Sequence, residues 1–144
     1  MKQNRVLVVD DDKDFRNLIV DYLEEEGFST LQAENGYIAF KHIEHEKPDL
    51  ILLDIQMPGK NGLDVCRFLK AQPSTYGIPV IIVTGSNSLS DRLSGYLAGA
   101  RRYLSKPLEL GELGECVRNV LHQHDIGERQ IGDIFSQNLL QGNE

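Results

Sequence analysis

Val6-Leu7-Val8-Val9-Asp10-Asp11-Asp12 and, further along, Leu50-Ile51-Leu52-Leu53-Asp54 decide how this chain folds. Each is an uninterrupted apolar run of strand length that ends in carboxylates. A run without polar alternation marks a strand buried on both faces, as in a parallel sheet covered by helices. Helix-length segments separate the two runs, so they should lie parallel and adjacent in one sheet. Their acids then converge at the edge where open α/β sheets bind ligands.

Gathering those acids is costly. Two carboxylates about 4 Å apart repel by roughly 4 kcal/mol at an effective dielectric of 20, so the cluster needs a cation or takes up protons. Oxygen-only ligands, with room for water and a phosphate, suit Mg²⁺ or Mn²⁺, whereas zinc would call for His or Cys nearby. The first expectation is an acidic metal site that handles phosphate.

At 144 residues the chain is long enough for one domain without a disulfide staple. Cys66 and Cys116 lack a Cys-x-x-Cys neighbour and read as small hydrophobes in a reducing compartment. Fifteen Lys and Arg stand against 22 Asp and Glu, a net charge of -7. That surface repels nucleic acid, so no direct nucleic-acid contact through this domain is expected. With no signal-peptide pattern and no apolar stretch of membrane-spanning length, the expected location is the cytoplasm, away from membranes.

Strand-like runs alternate five times with helix-period segments. Strands are expected over residues 5–9, 29–32, 49–53, 79–83 and 102–104. Phe15, Leu18, Ile19, Tyr22 and Leu23 mark a first amphipathic helix, capped by Asp12 or Asp14 and ended by Gly27. A second spans about 35–46 and stops before Pro48. A third covers 62–71; Leu89, Leu93, Tyr96, Leu97 and Ala100 mark a fourth, rich in poor helix formers, and Leu110, Leu113, Val117, Val120 and Leu121 a fifth. Beyond Asp125 the spacing of Ile131, Ile134, Phe135 and Leu139 remains helical. The expected organisation is a domain over 1–124 and a helical extension over 125–144, a linker or interaction segment.

Chemistry concentrates at the strand ends. Asp54 precedes a turn-rich loop, Ile55 to Gly62, that should expose its carboxylate as a nucleophile able to accept a phosphoryl group. The acidic pair would hold a metal that neutralises charge on the transferring group. Thr84, after Val80-Ile81-Ile82-Val83, offers a hydroxyl, and Lys106, after Tyr103-Leu104-Ser105, an ammonium for phosphate oxygens. Each residue alone is a weak signal, but four strands delivering polar groups to one edge form a pattern.

Taken together, Val8-Val9-Asp10-Asp11-Asp12, Pro48 to Asp54 with Met57-Pro58-Gly59 and Gly62, Pro79 to Thr84, and Gly99-Ala100 through Tyr103 to Lys106-Pro107 resemble the receiver domain of bacterial response regulators in two-component systems. The resemblance spans residues 5 to about 121. It implies a flavodoxin-like, doubly wound, five-stranded parallel sheet of order 2-1-3-4-5, here with a C-terminal helical extension. It also implies that Asp54 accepts phosphate from a histidine kinase or phosphotransfer protein, and that Asp10 and Asp11 position Mg²⁺ with a backbone carbonyl of Gln56. Thr84 and Lys106 would contact the phosphoryl group, Thr84 and Tyr103 would form the switch, and the Lys106-Pro107 peptide would be cis. On this reading the chain is a phosphoacceptor signalling domain and not an enzyme. It would control an unidentified output partner or domain through its helix 4, strand 5 and helix 5 face, with a phosphorylation-dependent dimer left open.

Arg101-Arg102 depart from the acidic or amide residues often found there, which bears on charge pairing across that face. Ser105, Leu108 and Asn61 are milder departures. Two rival readings are a pseudo-receiver that is never phosphorylated and a haloacid-dehalogenase-type phosphohydrolase, whose Asp-x-Asp would be Asp10 and Asp12. The second meets Asp14 where that motif prefers Thr or Val, and finds no cap domain.

Overall fold

The computed structural model describes residues 3–57 and 61–141, with side chains described as far as residue 127. Pro58, Gly59 and Lys60 of the loop after Asp54 lie outside the described residues, as do residues 142–144 and the side chains of Ile131, Ile134, Phe135 and Leu139. Strands β1 (Arg5–Val9), β2 (Ser29–Ala33), β3 (Leu50–Leu53), β4 (Val80–Thr84) and β5 (Arg102–Ser105) alternate with helices α1 (Lys13–Glu25), α2 (Gly36–Glu46), α3 (Gly62–Ala71), α4 (Leu89–Leu97) and α5 (Leu110–Gln141). All the strand pairings are parallel, in the order β2-β1-β3-β4-β5. The flavodoxin-like order carried by the resemblance is the order found.

The unbroken apolar runs are explained by two cores, one on each face of the sheet. Leu7, Val9, Ile51, Leu53, Val80 and Ile82 face α2 and α3, packing on Ala39, Ile43, Val65, Cys66 and Leu69. Their neighbours Val6, Val8, Leu50, Leu52, Ile81 and Val83 face α1 and α5, packing on Ile19, Leu23, Leu113, Val117 and Val120. Strand side chains alternate between faces, so a strand with helices on both sides holds apolar residues along its length and carries polar ones only at its end.

Helix boundaries follow their capping chemistry. Asp12 accepts a hydrogen bond from Phe15 N at 3.2 Å and so caps α1, Asn35 caps α2 through Ile38 N at 2.9 Å, Asn61 caps α3 and Ser88 caps α4. Each satisfies a backbone N–H that the first turn leaves without a partner. Gly27, at φ +96°, turns the chain after α1. Helix α5 passes Asp125 without a break, so the expected extension is a continuation of that helix.

Helix α4 departs from its sequence pattern. Leu89, Leu93, Tyr96 and Leu97, whose spacing marked the helix, are exposed, Leu97 at 87 %. Gly95 is the buried α4 residue: a Cβ there would lie 2.8 Å from Ile82 Cδ1 and 3.0 Å from Tyr103 Cδ2. The periodicity located the helix, while its large apolar side chains point away from the core. Among the described residues no helix is long and apolar enough to cross a membrane.

Candidate functional site: an acidic cluster at the carboxyl edge of the sheet

The sheet's hydrogen-bond ladder runs one residue beyond three strands and thereby assembles the site. Asp10 N donates to Ala33 O at 3.1 Å, Asp54 N to Val9 O at 3.0 Å and Lys106 N to Thr84 O at 2.8 Å. These bonds fix the backbones of Asp10, Asp54 and Lys106 at one edge although Asp10 and Lys106 are 96 residues apart. The Lys106 ammonium bridges the two acids, 2.7 Å from Asp10 Oδ2 and 3.1 Å from Asp54 Oδ2. Each carboxylate keeps its second oxygen on a local N–H: Asp10 Oδ1 accepts from Asp12 N at 2.9 Å and Asp54 Oδ1 from Gln56 N at 2.8 Å.

Asp11 completes the cluster from the exposed side of the β1–α1 loop. Oxygen atoms of Asp10, Asp11 and Asp54 all lie within 4.8 Å of one another. Three carboxylates against one ammonium leave an excess of negative charge in an all-oxygen donor set, a composition that fits a hard divalent ion. Burial raises the Asp10 carboxyl above its ordinary 3.8, against the pull of its bonds to Lys106 and Asp12 N. Burial alone would lower the Lys106 ammonium, but its hydrogen bond to Asp10 and the charges of Asp10 and Asp54 outweigh this and hold it above 10.5.

Asp54 is not exposed as expected. It is 5 % accessible, because Lys106 lies against it and the loop folds back with Ile55 and Met57 buried. Gly62 permits that fold: a Cβ there would lie 2.5 Å from Asp54 O and 2.6 Å from Ile55 Cα. Thr84 ends β4 beside this cluster, fully buried, and its hydroxyl finds no partner among the described residues. Buried hydroxyls are nearly always bonded, so this one marks an unmet demand.

Tyr103 sits inward from β5, 4 % accessible, and donates from its hydroxyl to Ser86 O at 2.9 Å. Ser86 in turn bonds Asp91 on α4, and the Arg92 guanidinium lies 5.4 Å from the Tyr103 ring centre. The ring is therefore buried more fully than a half-buried strand aromatic would be. Lys106-Pro107 is cis. Arg102 turns its guanidinium to Arg101 O and to Gln123 of α5.

Sequence reasoning missed Phe15 and Arg16. Phe15 reads as a core position of α1, yet its ring centre lies 4.0 Å from the Lys106 ammonium. Arg16 donates to Asp10 O at 2.7 Å and anchors the acidic loop. The only signal available was their place in the first helical turn after the acids, where side chains lean back over the preceding loop.

An acidic pocket with a lysine bridge on a 2-1-3-4-5 sheet is the arrangement that the resemblance to response regulator receivers implies. The family described as "Response regulator receiver domain" matches residues 6–118, and the chain belongs to that family. It is similar to the DNA-binding response regulator MtrA of Mycobacterium tuberculosis, 37% identical over 123 residues, covering 85% of this chain and 53% of that protein. The transcriptional regulatory protein CpxR of Escherichia coli is 39% identical over 127 residues, covering 88% of this chain and 53% of CpxR. The chain thus spans about half the length of these curated relatives. Among solved structures it resembles a CheY-like receiver domain protein from Methanospirillum hungatei, at a TM-score of 0.82 and 28% identity over 88% of this chain and 99% of that one. It also resembles NtrX from Brucella abortus, at 0.84 and 27% over 92% and 30%.

Proposed function

We propose that this domain accepts a phosphoryl group on Asp54 from a histidine kinase or phosphotransfer protein and passes the signal through its α4, β5 and α5 face to an output partner. The carrying observation is the meeting of Asp10, Asp11, Asp54 and Lys106 around one small space, with Thr84, whose hydroxyl is buried and unbonded among the described residues, joined to Lys106 through the backbone ladder. Asp10, Asp11 and Asp54, with the backbone carbonyl of Gln56, would hold Mg²⁺, or Mn²⁺ in its place. The ion, when bound, neutralises charge on the phosphoryl oxygens.

The remaining chemistry belongs to the chain. An Asp54 carboxylate oxygen forms the new bond to phosphorus while the bond from phosphorus to the donor's imidazole nitrogen breaks, and that imidazole leaves with the electron pair. Lys106 offers an ammonium N–H to a phosphoryl oxygen, and Thr84 donates its hydroxyl to another. The modification adds roughly 1.5 to 2 negative charges. Drawing Thr84 toward them couples the site to the packing of Tyr103.

Moving such a switch from 1:99 to 99:1 takes about 5.5 kcal/mol of differential stabilisation, so the modification shifts a pre-existing population. The domain acts as a phosphoacceptor in the cytoplasm whose only turnover is self-phosphorylation from a donor and autodephosphorylation. Incubation with a small phosphodonor and Mg²⁺ should load one phosphoryl group on the wild type and none on Asp54→Asn. Equal loading of both would refute the assignment.

A further inference from the structure

We infer that Phe15 is a positioning residue for Lys106: its ring holds the ammonium over Asp54 without using any of its N–H donors. The inference rests on the phosphoacceptor reading and adds a residue to it.

The Phe15 ring centre is 4.0 Å from Lys106 Nζ, well within the roughly 6 Å over which a ring's negative face attracts a cation. The placement follows from local structure. The Phe15 N–H bonds the capping carboxylate of Asp12 at 3.2 Å, which fixes its backbone in the first turn of α1. A side chain there lies over the turn that precedes it, so the ring covers the acidic loop. It is half-buried, seated against the core between α1, the sheet and α5.

An ammonium carries three donors. Two are directed to Asp10 Oδ2 and Asp54 Oδ2. A further carboxylate or carbonyl would occupy the third. A ring face attracts the charge with no lone pair to satisfy, leaving that N–H for an incoming phosphoryl oxygen. It also confines a flexible four-carbon stem. A leucine at position 15 would fill the same core space and supply no such attraction.

The test separates ring electrostatics from packing. Phe15 is replaced by mono-, di- and trifluorinated phenylalanine, which keep the shape and progressively weaken the negative face. In metal-free protein, the Lys106 ε-methylene protons should show a ring-current shift that persists through the series. With Mg²⁺ and a small phosphodonor, the rate of Asp54 phosphorylation should fall step by step, by roughly two- to thirtyfold at trifluorination, and Phe15→Tyr should stay close to wild type. A flat rate series, or Lys106 methylenes with no ring-current shift, overturns the inference while leaving Asp54 as acceptor. A wild type that takes up no phosphoryl group overturns the phosphoacceptor reading and this inference with it.

Discussion

Thr84 is the residue at which stability and the proposed signalling role pull apart. Its hydroxyl is fully buried without a partner among the described residues, and leaving such a group unbonded costs about 1–3 kcal/mol. Thr84→Val should therefore raise the unfolding free energy of the unphosphorylated domain by about 1 kcal/mol in a urea titration, while uncoupling phosphorylation from Tyr103. A loss of stability would show that the hydroxyl is already satisfied. Tyr103 supplies a second prediction. Burial first, then the charge of Asp91, lift its phenol above the ordinary 10.0, against its bond to Ser86 and the nearby Arg92. The folded state holds that proton longer than the unfolded chain, so stability falls as pH rises from about 10 through the folded pKa. In a phenolate absorbance titration of the wild type against Tyr103→Phe, the substitution should remove one late-ionising phenol. Asp10 and Asp54 were legible in the sequence because each directly ends an apolar run, and Lys106 because it follows the short strand-like stretch Tyr103-Leu104-Ser105. Phe15 was not, because an aromatic at a core position reads the same whether its ring meets a leucine or an ammonium.

Among the elements, α4 shows what periodicity can and cannot tell. Leu89, Leu93, Tyr96 and Leu97 repeat at helical spacing, and a helix is what forms. The pattern says nothing of which side the stripe faces. The sheet beneath α4 already carries Ile82 and the inward ring of Tyr103, leaving room only for Gly95. The large side chains are left on the surface, an exposed apolar set that fits the proposed output face. Leu97→Lys, at 87 % exposure, should change unfolding free energy by no more than about 0.5 kcal/mol and measurably weaken binding of whatever the α4 face engages. A large destabilisation would place Leu97 in the domain's own packing. The strands, by contrast, were readable to within a residue or two: burial on both faces gives the central β1, β3 and β4 their apolar runs, while the edge strands β2 and β5 carry polar residues and were found from their alternation with helical segments.

For the whole molecule, one sheet carries both the proposed acceptor site and the proposed output face. Its carboxyl edge gathers the acids, and β5 carries Lys106 at its end and Tyr103 along its length. Helix α5 continues from the core to Gln141, past the last buried residue described, Leu121. Ending the chain after residue 127 should leave Asp54 phosphorylation unchanged and alter partner binding or self-association, as read by sedimentation. Unchanged association would remove the extension from the output. The central claim is that Asp10 and Asp54, paired through Lys106, divide their labour: one accepts phosphorus and the other serves a cation. Trapping the acyl phosphate by reduction and locating it by peptide mass spectrometry tests this directly. The adduct should map to Asp54; an adduct on Asp10, or none in the presence of Mg²⁺ and a competent phosphodonor, would contradict it.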